Sequence, residues 1–184
     1  MTNVDRVASA SLPRNPGDPF VVPYDSALAD YVEEVQNLIE PLPSSWHQAV
    51  TLAQYVSDKM GGAIDRDQLT SVPFELPLSN IKVELHSNVI PIGRVKLGVH
   101  QHRSLLFKAL ADRISLPVSL VRGQYNRYAN VIELVDDVDG TEEPSGGQIV
   151  GQVIAPKAYI VDLIHQPGRL MKIESNEAVE YMKL

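Results

Sequence analysis

His100 and His102 lie two residues apart beside Arg103, and a second polar pair, Asp162 and His165, follows further along the chain. Imidazole is the commonest zinc ligand and a ready carrier of protons, so these residues invite metal ligation or general acid–base transfer. Zinc asks for three or four converging ligands. Residues two apart share a face on a strand but diverge on a helix. No carboxylate or third histidine lies near His100 in sequence, although Asp162 and His165 could approach it in space. The expectation is therefore pocket-lining histidines with satisfied hydrogen bonds, no metal and no cofactor. Proton transfer by His100, oriented by Asp162, is the competing reading; a lone His–Asp pair is more often a structural hydrogen bond. Arg103 stands in an almost wholly apolar stretch, where a buried guanidinium pairs with a carboxylate or with carbonyls. Its alternative role is to anchor an acidic partner tail.

Other motifs are weaker. Asp136-Asp137-Val138-Asp139-Gly140 has the aspartate spacing of a calcium loop but lacks the distal glutamate, and reads as a solvated loop. Gly93 and Gly98 have phosphate-loop spacing without the following Lys-Ser/Thr. The chain has 184 residues, a net charge of -7 and no cysteine. That size is one ordinary domain, and the charge argues against nucleic acid or an anionic membrane as partners. Without cysteine there is no disulfide framework, no thiolate zinc site and no thiol nucleophile. No apolar stretch is long enough to span a bilayer, and the first 22 residues lack the pattern of a secretory signal. The expected location is the cytoplasm.

These residues need elements to position them. Residues 1–24, with Pro13, Pro16, Pro19 and Pro23, read as an extended or disordered arm with Phe20-Val21-Val22 as a possible anchor, and 25–184 as the domain. Leu28, Val32, Val35 and Ile39 recur at helical spacing until Pro41. A second helix is predicted from Ser45, with Ser45-x-x-Gln48 as a capping box, Trp46, Ala49, Val50, Ala53 and Val56 as its apolar face, and Gly61-Gly62 as its end. Residues 63–80 read as loop with short helical turns, and Ile81 to Leu85 as either a strand or a continued helix. Apolar residues wrap most of the stretch 101–115, which predicts a central buried helix. Strands are predicted at Val118–Arg122, Asn130–Val135 and Tyr159–Leu163, with a further one at 149–154, a surface loop at 136–147 and a closing helix near Asn176–Met182. Helices first and then an antiparallel meander is an α+β arrangement.

Three segments together carry a family resemblance. Ser87 to Gly98 runs into His102-Arg103-Ser104-Leu105-Leu106-Phe107-Lys108-Ala109-Leu110-Ala111-Asp112-Arg113; then come Leu116 to Gly123, and Tyr159-Ile160-Val161-Asp162-Leu163 with Pro167-Gly168. They resemble the domain N-terminal to the kinase in plant ethylene-response and disease-resistance Raf-like kinases. They are similar also to the C-terminal domain of a ciliary armadillo-repeat protein, the closer match of the two around residues 87–123. The resemblance covers roughly residues 25–173 and implies a transglutaminase-like, papain-type fold, with N-terminal helices and a central buried helix on an antiparallel sheet.

Active members of that fold place a cysteine at the start of the central helix, a histidine on the next strands and an Asp or Asn beyond. The helix N-terminus and an adjacent imidazolium stabilise the thiolate, and the third group fixes the histidine tautomer. Carried over by resemblance, the cysteine position is His100, the base position is Arg127, followed by Tyr128-Ala129-Asn130, and the third is Asp162. Imidazole does not replace a thiolate in ordinary acyl transfer, and an arginine does not act as a general base. The expectation is a pseudoenzyme whose relic triad is His100, Arg127 and Asp162, with Arg127 and Asp162 as a candidate ion pair across the old cleft. Pocket or interaction residues are His100, His102, Arg103, Arg127, Asn130 and Asp162. The implied role is a protein-interaction or structural module with axonemal or armadillo-repeat partners in a cilium or flagellum. The alternatives are a hydrolase or acyl-transfer enzyme using His100 with Asp162, and a regulator acting on a kinase in trans.

Overall fold

A computed structural model describes residues 24–123, 127–135 and 155–183. Among them are five α-helices and one antiparallel sheet: α1 (Ser26–Ile39), α2 (Ser45–Lys59), α3 (Glu75–Leu85), α4 (His100–Arg113), β1 (Val118–Arg122), β2 (Tyr128–Leu134), β3 (Lys157–Val161), β4 (Leu170–Lys172) and α5 (Asn176–Lys183). The strand order is β1-β2-β3-β4. This is the α+β arrangement the sequence predicts.

The alternation of the strands sorts the sheet into two faces. Val118, Ile132, Leu134, Tyr159 and Val161 point into the main core, where they meet Leu106, Phe107 and Leu110 of α4 and the buried stripes of α1 and α2. Burying Leu106, Phe107 and Leu110 of α4 contributes roughly 1.5–3 kcal/mol each, whereas Leu105 on the same helix is exposed. Trp46 of α2 packs edge-on against Tyr159, ring centroids 5.3 Å apart. The outer face carries Ala129, Ile160 and Met171, and α5 covers it with Ala178 and Tyr181.

Several boundaries differ from the sequence reading, each for a local reason. The cap of α2 is Ser44, whose Oγ accepts the His47 N–H, one residue ahead of the predicted Ser45 box. Ile81 to Leu85 is helix, not strand: Val83 is 72% exposed, so its alternation with Ile81 and Leu85 marks no buried strand face. α3 also begins within the stretch read as loop, and Pro77 is tolerated because it sits in the first turn, where an N–H has no helical partner. β3 stops at Val161 because the Asp162 carboxylate takes the next backbone N–H groups. β4 is a strand the sequence reading lacks; its three residues pair with β3 after the turn at Gly168. That turn needs glycine: its φ is +95°, and a Cβ there would come within 3.1 Å of the Val50 carbonyl oxygen. The predicted arm at 1–24, apart from Tyr24, lies outside the described residues, as do the acidic loop and the strand at 149–154.

Candidate functional site

The site is organised from the start of α4. Gly98 lets the chain enter this helix against the end of α2: a Cβ would lie 2.8 Å from His102 Cβ and 2.9 Å from Met60 Sδ. Val99, at the cap, has no side-chain acceptor. The first turn is instead closed from inside by His102, whose Nδ1 accepts the Val99 N–H at 3.4 Å. The His102 ring packs on Phe74, centroids 5.3 Å apart, and burial lowers its pKa. His100 and His102 therefore diverge, as helical spacing requires. Among the described residues no group of three His, Asp or Glu side chains is placed to hold a metal ion.

Arg103 is wholly buried and stitches three segments together. Its Nε donates to the Gly98 carbonyl at 2.7 Å, Nη1 to Ser57 Oγ at 3.1 Å and the Leu163 carbonyl at 2.8 Å, and Nη2 to the Met60 carbonyl at 2.9 Å. Carbonyls are its partners, one of the two structural options. The Met60 oxygen belongs to the open C-terminal end of α2, which favours a cation. Desolvation lowers the guanidinium pKa to about 10, so it stays charged at neutral pH, with Tyr181 and Asp162 acting in the opposite sense.

Asp162 holds the loop after β3. Its Oδ1 accepts the N–H groups of Ile164 at 2.7 Å and His165 at 2.9 Å, and its Oδ2 accepts Gln166 N–H at 2.9 Å. The loop is tied elsewhere by His165 Nδ1 against the Ile64 carbonyl at 2.7 Å. The candidate Arg127–Asp162 ion pair is not among the ion pairs of the described residues, and Arg127 Nη1 is buried without a hydrogen-bond partner. No hydrogen bond joins Asp162 to His100 there either; the carboxylate accepts from the three backbone amides and from the Tyr181 hydroxyl.

His100 is 8% exposed and its Nε2 has no hydrogen-bond partner. The expectation of a satisfied histidine is corrected at this atom, which no hydrogen-bond partner among the described residues reaches. Desolvation, then the charges of Arg127 and His165, bring its pKa down to about 4, against the opposing pull of Asp162. It is a neutral imidazole at pH 7. Its ring meets Tyr181 of α5 edge-on at 5.7 Å, and His165 lies 6.4 Å from it on the other side. Tyr181 is the residue sequence reasoning missed. Ala178, Tyr181 and Met182 give α5 an apolar face at helical spacing, but nothing local says that the face closes over His100. The Tyr181 hydroxyl accepts the Leu163 N–H at 3.3 Å, and desolvation, with Asp162 nearby, raises its pKa.

Asn130, on the core face of β2, donates from Nδ2 to the Ser104 carbonyl at 3.2 Å, and Ser104 Oγ donates to the Tyr128 carbonyl at 3.0 Å. The structure thus gathers His100, Arg103, Arg127, Asn130 and Asp162 around the first turns of α4 and leaves His102 on another side.

Helices followed by an antiparallel meander, with polar groups drawn to the N-terminus of the central helix, make an α+β domain consistent with a peptidase-like one. The chain belongs to the family described as EDR1/CTR1/ARMC3, peptidase-like, which matches residues 22–171. It is 45% identical over 159 residues to the human Armadillo repeat-containing protein 3, covering 86% of this chain and 17% of that protein. Two Arabidopsis thaliana proteins are similar at lower identity. Serine/threonine-protein kinase CTR1 is 32% identical over 67% of the chain and 13% of its own length; probable serine/threonine-protein kinase SIS8 is 31% identical over 67% and 11%. The chain therefore spans under a fifth of each of these relatives. No solved structure matches it. Among the described residues no helix is long and apolar enough to cross a membrane.

Proposed function

We propose that the chain is a catalytically inert peptidase-like domain that serves as a protein-interaction or structural module. The observation that carries this reading is the residue at the start of α4. Where an active thiol enzyme needs an ionisable, accessible sulfur, His100 supplies a buried neutral imidazole covered by Tyr181. The other two relic positions support the same reading. Arg127 does not accept a proton, and Asp162 is engaged by three backbone N–H groups instead of orienting a base.

The setting we propose is the cytoplasm, within a ciliary or flagellar axoneme, with axonemal or armadillo-repeat proteins as partners. It rests on the resemblance to the ciliary armadillo-repeat protein. Affinity capture from axonemal extracts and imaging of the tagged protein in ciliated cells test it: enrichment of axonemal proteins and ciliary signal are expected, and failure of both contradicts it. The similarity to two plant kinases supports a second reading, a regulatory domain acting on a kinase in trans, for which direct binding to a kinase domain is the test.

A further inference from the structure

α3 has an inner and an outer face. Leu78 packs against the main core, whereas Leu76 and Val83 are 69% and 72% exposed. Seven residues make close to two helical turns, so these two side chains share the outer face, about 10 Å apart along the axis. Val83 also lines a cavity of about 270 Å³ at the end of the helix, with Lys82, His86, Ser87 and Asn88. Exposed apolar side chains gathered beside a concavity mark a surface that something apolar covers.

The chain delivers an apolar segment to this place. Tyr24, 84% exposed, is the first of the described residues, and Asp18-Pro19-Phe20-Val21-Val22-Pro23 precedes it. Asp25 fixes where that segment joins the domain, because its Oδ2 accepts the Gly93 N–H at 2.8 Å. The next residue, Arg94, donates from Nη2 to Glu84 Oε2 of α3 at 2.7 Å, and Glu84 adjoins Val83. An extended residue spans at most about 3.6 Å, so Phe20 reaches up to about 18 Å from Asp25. Pro19 and Pro23 favour extended backbone at Asp18 and Val22, which lowers the entropy lost on docking. Charge fits as well: Lys82 lines the cavity, and Asp18 stands two residues before Phe20.

We propose that Phe20-Val21-Val22 docks on the outer face of α3, its apolar side chains over Val83 and Asp18 beside Lys82. The segment covers, within the same chain, an apolar face that no described residue buries. The inference goes beyond the interaction-module reading and does not depend on it.

The chain has no cysteine, so one engineered pair reports the contact. The full chain carrying Val21→Cys and Val83→Cys is oxidised with diamide at high dilution, and the disulfide is identified by mass after proteolysis. The same pair is prepared with Phe20→Ser and Val22→Ser, which keep the reach of the segment and remove its apolar anchors. Expected is an intrachain disulfide that forms at least tenfold faster with the anchors than without them. Equal rates overturn the proposal; a disulfide that joins two chains gives the face to a second copy and overturns it too. Should the cysteine variants not fold, hydrogen exchange of the α3 amides compares the wild type with Phe20→Ser/Val22→Ser alone. Exchange at least fivefold faster in the double variant is expected, and unchanged exchange contradicts the docking.

Discussion

Arg103 shows why a charged residue can belong in a core. Four of its donor contacts go to oxygens of α2's end, the approach to α4 and the loop after β3, so the charge is solvated by the protein itself. Arg103→Ala is predicted to cost on the order of 3–5 kcal/mol, through a cavity and several unsatisfied carbonyls, and Arg103→Lys to recover little because a point ammonium does not span the three segments. Urea unfolding at pH 7 checks both. His100 makes a pH prediction. Its folded-state value of about 4 lies below the ordinary 6.5, so between the two the unfolded chain holds a proton that the folded chain refuses. Stability contributed by keeping this ring neutral is full above pH 6.5 and falls as the pH drops toward 4, by roughly 3 kcal/mol in all. The groups facing the ring are Arg103, Arg127, Asp162, His165 and Tyr181; His102, lowered by burial, adds a slope of the same sign. Denaturation midpoints across that range should decline in the wild type and decline less in His100→Gln. Equal slopes would remove the buried neutral histidine from the account.

At the level of the elements, α2 and α4 are tied by a cap and a close approach. Ser44→Ala is predicted to cost about 1 kcal/mol and Ser45→Ala under about 0.5 kcal/mol, because only Ser44 receives a helix N–H. Gly98→Ala is predicted to cost roughly 1–3 kcal/mol by forcing Met60 and His102 apart. Thermal or urea unfolding of the three variants measures these differences. The same elements show what could be read in advance. α1 and α2 announce themselves through apolar spacing, α4 through an apolar stretch that wraps most of the helix although Leu105 stays exposed, and β1 to β3 through runs bounded by turns. α3 was ambiguous because it buries no residue fully, so its pattern is not set by a core: Leu76 and Val83 face water. β4 was invisible because three residues are too few for a period, and its pairing is dictated by the distant β3.

Across the whole molecule, topology decides how the residues singled out in the sequence are surrounded. The approach to α4 and the run ending at Asp162 identify the family by resemblance, and the fold brings His100, Arg127 and Asp162 to one end of the central helix. What remained illegible was how these groups are occupied: Asp162 by loop amides, His100 by the ring of a tyrosine about eighty residues away in sequence. Long-range packing of a small helix leaves no local mark. We propose that this peptidase-like domain carries out no peptidase or acyl-transfer chemistry of its own. The most direct test is turnover of amide and activated ester substrates by the wild type and by His100→Ala, at matched concentration and with folding verified. Rates that coincide with each other and with the uncatalysed background are predicted. A wild-type rate well above background that falls to it in His100→Ala would contradict the account.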